Sequence, residues 1–214
     1  MTKMGIIPWQ LYKTEMTPRQ HKEEAEKLAA EWHVPLRSRK RWSLREATQG
    51  MDDFRLSQSD VPLIIRLVEN PQYDIGLFAG NVDLKTHDYI HVLLGRGLLP
   101  KDEAFVIGYT MGTTKKMPRW RRNLFMFCSK YLYPKGYKFG EEERFVFNMG
   151  VALGSLNTCD WSASSFGRNL QGLWLDLPVS HLRKSVDMDI DLLKSYYRIE
   201  KRLFGNSVES QRLL

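Results

Sequence analysis

His87 and His91 stand four residues apart, Asp88 lies beside the first, and Glu103 follows twelve residues after the second. The pattern is H-D-x-x-H, eleven residues, then E. On a helix of 3.6 residues per turn, positions i and i+4 project from one side, so the two imidazoles face the same way. Asp88 sits about 100° around from His87 but is an i,i+3 neighbour of His91. Gly95, Gly97 and Pro100 interrupt the helix, which puts Glu103 in the first turn of the next one. A tight connection can then swing Glu103 back onto the histidines. Two neutral imidazoles with hard carboxylates form a mixed N/O donor set suited to Zn²⁺, Mn²⁺ or Fe²⁺, and less naturally to Mg²⁺.

The plainer reading is a pair of hydrogen-bonded core histidines, with Asp88 orienting His91. Ile90 and Leu94 share the histidine side of the helix, so that side faces an apolar interior. Buried imidazoles there need partners, since an unpaired buried polar group costs roughly 1–3 kcal/mol. One shared cation satisfies both.

The run Asp83-Leu84-Lys85-Thr86-His87-Asp88-Tyr89-Ile90-His91-Val92-Leu93-Leu94-Gly95 resembles the Coq4 family of ubiquinone-biosynthesis proteins. His87, Asp88, His91 and Glu103 fill the four positions of that family's H-D-x-x-H-x11-E signature, and the resemblance covers roughly residues 75–112. It implies a helical fold and a bound divalent metal, Zn²⁺ first and Mn²⁺, Fe²⁺ or Mg²⁺ as alternatives. The implied ligands are His87, His91 and Glu103, with Asp88 a fourth ligand or the orienter of an imidazole. The implied activity supports C1 decarboxylation of a polyprenylated 4-hydroxybenzoate-type head group. A non-catalytic scaffold that binds an isoprenoid lipid and gathers biosynthetic partners is the alternative. A metal-dependent hydrolase ranks third: Asp88 is a methylene shorter than the Glu of H-E-x-x-H, and His33 and Asp160 fit poorly as the extra ligands of HD-type phosphohydrolases. Arg96, between the two helices, is expected to be solvated, with contact to a substrate carboxylate as the other reading.

A chain of 214 residues, 43% hydrophobic and 27% charged, suits one globular domain with an N-terminal appendage. The expected division is a basic helical appendage and linker over 1–50 and a helical domain over 51–214. Two cysteines, Cys128 and Cys159, are too few for a disulfide framework and point to a reducing compartment. No stretch reaches the ~20 apolar residues that span a bilayer, and the first residues carry no signal or transit pattern. These features predict a cytoplasmic protein, soluble or peripheral, and the resemblance favours peripheral membrane association. A net charge of +7 favours anionic partners, but nucleic acid is not expected, because no RNP, KH or zinc-finger pattern accompanies the charge. The sequence leaves self-association open.

The fold is expected to be all-α, an irregular bundle with the metal site between two adjacent antiparallel helices. Period-2 alternation and Asn-Gly or Asp-Gly turns are missing. Thr17, Pro18 and Gln20 begin a helix that runs to about Trp32, and a basic linker occupies Arg37 to Arg45. Further helices are expected over 61–68, around His87, after Pro100, over 120–133, over 141–156 and over 189–204. Asp189, with Asp187 and Asp191, reads as an acidic N-cap rather than a calcium loop. His21 and His33 are expected at the surface. Glycines recur at i,i+4 as Gly76/Gly80, Gly108/Gly112 and Gly150/Gly154. The spacing predicts tight helix crossings, with a groove for an isoprenoid chain as the alternative.

Residues 115–138 carry Lys115, Lys116, Arg119, Arg121, Arg122, Lys130, Lys135 and Lys138 without one acid. Trp120, Leu124, Phe127 and Tyr131 follow 4-3-4 spacing and share a helix face. The face either packs into the bundle or lies on an anionic membrane surface, and the resemblance favours the membrane.

Overall fold

Residues 27, 31–37, 41–51, 82–114, 118–132 and 138–214 are described by a computed structural model. The helices expected over 61–68 and most of 17–32 lie outside them, as do Gly76, Gly80 and His21. Among the described residues the chain is all-α, with nine α-helices and no strand. They are α1 (Leu44–Thr48), α2 (Leu84–Leu94), α3 (Pro100–Thr113), α4 (Arg119–Phe127), α5 (Glu141–Gly154), α6 (Ser164–Gln171), α7 (Val179–Ser185), α8 (Ile190–Leu203) and α9 (Val208–Gln211). A π-helical turn, Cys128–Leu132, continues α4. None of these helices is long and apolar enough to cross a membrane.

The helix ends follow local chemistry. Asp83 caps α2 by accepting from the Thr86 backbone N–H, and Asp189 caps α8 by accepting from Asp191 and Leu192. Of the acidic cluster before α8, Asp189 is therefore the cap, while Asp187 accepts from Thr158. α2 stops at Gly95, whose φ of 67° closes the turn while its N–H returns to Val92 O. A side chain there would be strained by that φ and would press on the Leu36 backbone.

The central packing is α3 against α5. Gly108 and Gly112 face Gly150 and Gly154, and each Cα lies where a Cβ would overlap the other helix's backbone; at Gly150 it would stand 2.6 Å from Phe105 O. The small residues thus bring two backbones together. They do not leave a groove for an isoprenoid chain, because the facing helix fills the space.

The basic segment is also more than a solvated linker. Arg37, Arg41 and Arg45 are exposed, but Val34, Leu36, Leu44 and Ala47 join the same core as the later helices. Backbone bonds from Leu44 to Leu177, Arg45 to Leu175 and Val179 to Trp42 stitch the segment to the turn before α7. Arg45 and Asp176 add an exposed two-point ion pair.

Candidate metal centre

α2 and α3 bring three donor groups together. On α2, Tyr89, Ile90, Val92, Leu93 and Leu94 are buried, which fixes the rotation of the helix and turns His91 inward. His91 is completely buried and His87, a turn earlier, is half-buried. Pro100 opens α3 at a position where its missing N–H costs nothing. Glu103 follows in the first turn, where the helix dipole favours a carboxylate.

The nitrogens and oxygens converge closely. His87 Nε2 lies 3.0 Å from His91 Nε2 and 3.0 Å from Glu103 Oε2. His91 Nε2 lies 3.3 Å from Glu103 Oε1. One ligand atom from each residue falls within 4.8 Å of the others. The rings meet edge to face, 69° apart, as befits two imidazoles aimed at a common point.

The proton on His91 can be assigned. Its Nδ1 is 2.6 Å from the carbonyl oxygen of Gly97, an acceptor only, so Nδ1 carries the hydrogen. A neutral His91 therefore presents a lone pair at Nε2, toward His87 Nε2. His87 has one proton at most to offer there, and both His91 and Glu103 compete for it. A cation between them satisfies all three acceptors at once. Two nitrogens at about 2.0–2.1 Å from one first-row ion stand about 3 Å apart, so the observed spacing fits the donor set.

Burial alone would raise the Glu103 carboxyl. Without an ion, charge and hydrogen bonds from His91 and His87 when they are protonated outweigh that and hold it well below the usual carboxylate range. It is ionised at neutral pH, as a metal ligand would have to be. Its side chain is 32% exposed, against none for His91, so the centre has a buried floor and a rim open to solvent. Asp88 is half-buried on α2 and is not among the three groups that converge.

The connection between the helices is held from several sides. Arg96 has no exposed surface, so the solvated position expected for it is overturned. Its guanidinium donates to both oxygens of Glu200, at 2.9 and 2.6 Å, and lies 4.1 Å from the centre of the Phe105 ring. Burial supplies the reason: an isolated charge there would be very costly, and Glu200 with two aromatic faces compensates it. Asp102, also buried, accepts from Leu99 N–H and from Arg212. His33, expected at the surface, is half-buried, with Nε2 3.0 Å from Gly95 O, and burial lowers its pKa.

The last carbonyls of α2 are all taken. Arg183 donates to Val92 O, Leu93 O and Leu36 O at 2.7–2.9 Å, and Tyr197 donates to Leu94 O at 2.7 Å. Sequence reasoning missed Arg183, Tyr197 and the Gly97 carbonyl. The first two come from about a hundred residues away, and the third is backbone, so no local pattern announces them.

A separate cavity of about 460 Å³ opens at the N-terminal end of α2, beside Asp83, Thr86, Arg168 and Gln171. None of the three converging residues lines it. No protein-family model, curated protein or solved structure matches the chain.

Proposed function

We propose that this chain binds one divalent metal ion, Zn²⁺ by the chemistry of its donors, through His87, His91 and Glu103. We propose further that it acts in ubiquinone or a related prenylquinone pathway, supporting C1 decarboxylation of a polyprenylated 4-hydroxybenzoate-type head group. The observation that carries the metal reading is the meeting of two imidazole Nε2 atoms at 3.0 Å beside an ionised carboxylate. The pathway reading is supported by His87, Asp88, His91 and Glu103 occupying the signature positions described above.

Three protein ligands among the described residues favour an enzyme over a scaffold, since a catalytic site keeps a position for water or substrate while a structural one is closed by four. A bound ion would supply Lewis acidity toward the oxygen substituents of the ring while the C1–carboxylate bond breaks, CO₂ leaves and a proton from solvent takes its place. The protein's own groups do the positioning. Gly97 fixes the His91 ring, Glu103 contributes the one negative charge, and the two imidazoles are neutral donors. Such a set leaves one net positive charge with a divalent ion, which complements a carboxylate or phenolate. The exposed rim at His87 and Glu103 is the side from which a head group approaches.

The test is elemental analysis of the full chain after incubation with Zn²⁺ and dialysis. One ion per chain is expected, and His91→Ala should retain almost none while keeping its helical circular dichroism. Wild-type protein that holds no metal overturns the centre. Metal-loaded protein incubated with a prenylated 4-hydroxybenzoate should release CO₂. Metal retention and prenyl-lipid binding without CO₂ release would replace the decarboxylase reading with the scaffold.

A further inference from the structure

We infer that α4 and its π-helical continuation form a docking surface for an anionic phospholipid leaflet. The helix turns Phe125, Cys128 and Ser129 into the core and leaves the opposite side outward. That outward side carries Trp120, Phe127 and Tyr131, which are 52%, 54% and 57% exposed, and Leu132 at the end of the π-helical turn is 50% exposed. Large apolar side chains in such a row cost free energy in water, roughly in proportion to the area they show it. Of the face raised by the sequence, Leu124 packs against the core while its three aromatic members are outward. Phe125 is the aromatic that packs inward.

Charge decides what covers the row. Arg119 and Lys130 are exposed along one side of it, and Arg121 lies on the other, 5.3 Å from the Trp120 ring centre. Lys130 reaches over Tyr131 at 5.5 Å and also pairs with Glu141 at 3.5 Å. Aromatic and aliphatic groups between flanking cations match the boundary between acyl chains and anionic headgroups. A second copy of this chain would bring like charges together. Single-stranded nucleic acid stacks its bases on ring faces that are open to it. Here Arg121 and Lys130 stand over Trp120 and Tyr131. The surface is independent of the metal-centre reading.

Co-sedimentation of the full chain with vesicles tests the inference. Vesicles of phosphatidylcholine with about a third phosphatidylserine should bind it, and binding should fall steeply as salt rises. Pure phosphatidylcholine should bind far less. The double variant R119E/R121E should lose at least about tenfold in partitioning, since each cation near an anionic leaflet contributes about a factor of five. W120A/F127A should lose a similar amount, and both variants should keep wild-type circular dichroism and metal content. Equal binding to neutral and anionic vesicles overturns the inference, as does unchanged binding by both variants. Capture of a single-stranded oligonucleotide through Arg119 and Arg121, with no vesicle binding, assigns the surface to nucleic acid instead.

Discussion

A guanidinium with no exposed surface stands two residues after Leu94, the last residue of α2. Arg96 is tied to Glu200, and burial, which would raise the Glu200 carboxyl, is outweighed by the Arg96 charge and its hydrogen bonds, so Glu200 titrates below its ordinary value. A depressed carboxyl contributes stability that is present above its unfolded value, about 4.5, and is lost as pH falls through the folded value. Glu200→Gln leaves buried Arg96 with only Asp102, 3.8 Å away and shared with Arg212, as counter-charge, and should cost about 3 kcal/mol in urea unfolding at pH 7. Acidification should then erode the wild type more than the variant, so the two curves approach each other. Replacing Arg96 and Glu200 together by Met and Leu should cost less than Glu200→Gln, because no charge is stranded. A double variant as unstable as the single would refute this account of the pair.

At the scale of elements, the crossing of α3 and α5 sets where Glu103 can be. Gly150→Ala places a methyl against backbone that cannot rotate away, and should destabilise by about 1–3 kcal/mol in thermal or urea unfolding. Unchanged stability would mean that the two helices separate easily. Much of this scale was legible in the sequence. Glu141–Gly154 and Ile190–Leu203 lie close to the expected ranges, since each carries a sustained apolar face with a clear start or stop. The short helices α6 and α7 were not read, because seven or eight residues hold too few apolar repeats to show a period. α1 did leave a signal: Ser43 and Glu46 form a capping box inside the stretch read as linker, and the surrounding arginines obscured it. For the centre, spacing along one helix brought His87 and His91 together, and the interruption by Gly95, Gly97 and Pro100 placed Glu103. The supports were not legible, for Arg183 reaches Leu93 across ninety residues. Burial lowers the Arg183 pKa to about 10, yet the group keeps its charge at neutral pH against the negative end of α2.

For the whole molecule, the centre joins parts of the chain that are far apart in sequence. Glu103 packs through α3 onto α5, His91 through Gly97 onto the connection held by Arg212, and α2 through Arg183 onto α7. Metal that binds only the folded chain must therefore stabilise all of these at once. At a hundred times its dissociation constant a ligand adds about 2.7 kcal/mol. In a domain of this size that should raise Tm by about 5–10 °C. Differential scanning calorimetry with and without Zn²⁺ should show the rise in wild type and none in His91→Ala. A rise of equal size in both would place the stabilising ion elsewhere.

The connection between α2 and α3 also works as a gauge of length. Its two ends cannot slide: Arg183 and Tyr197 hold the last turn of α2, and the interleaved glycines hold α3. Its middle is equally committed, with Gly97 facing His91 and Arg96 paired to Glu200, and Asp102 in the first turn of α3 is tied to Arg212. Surface loops ordinarily absorb an added residue by bulging. Here a bulge withdraws the Gly97 carbonyl, and passing the extra residue into α3 turns Glu103 about 100° away from the imidazoles. The eleven residues between His91 and Glu103 are thus a tolerance as tight as any side chain in the centre.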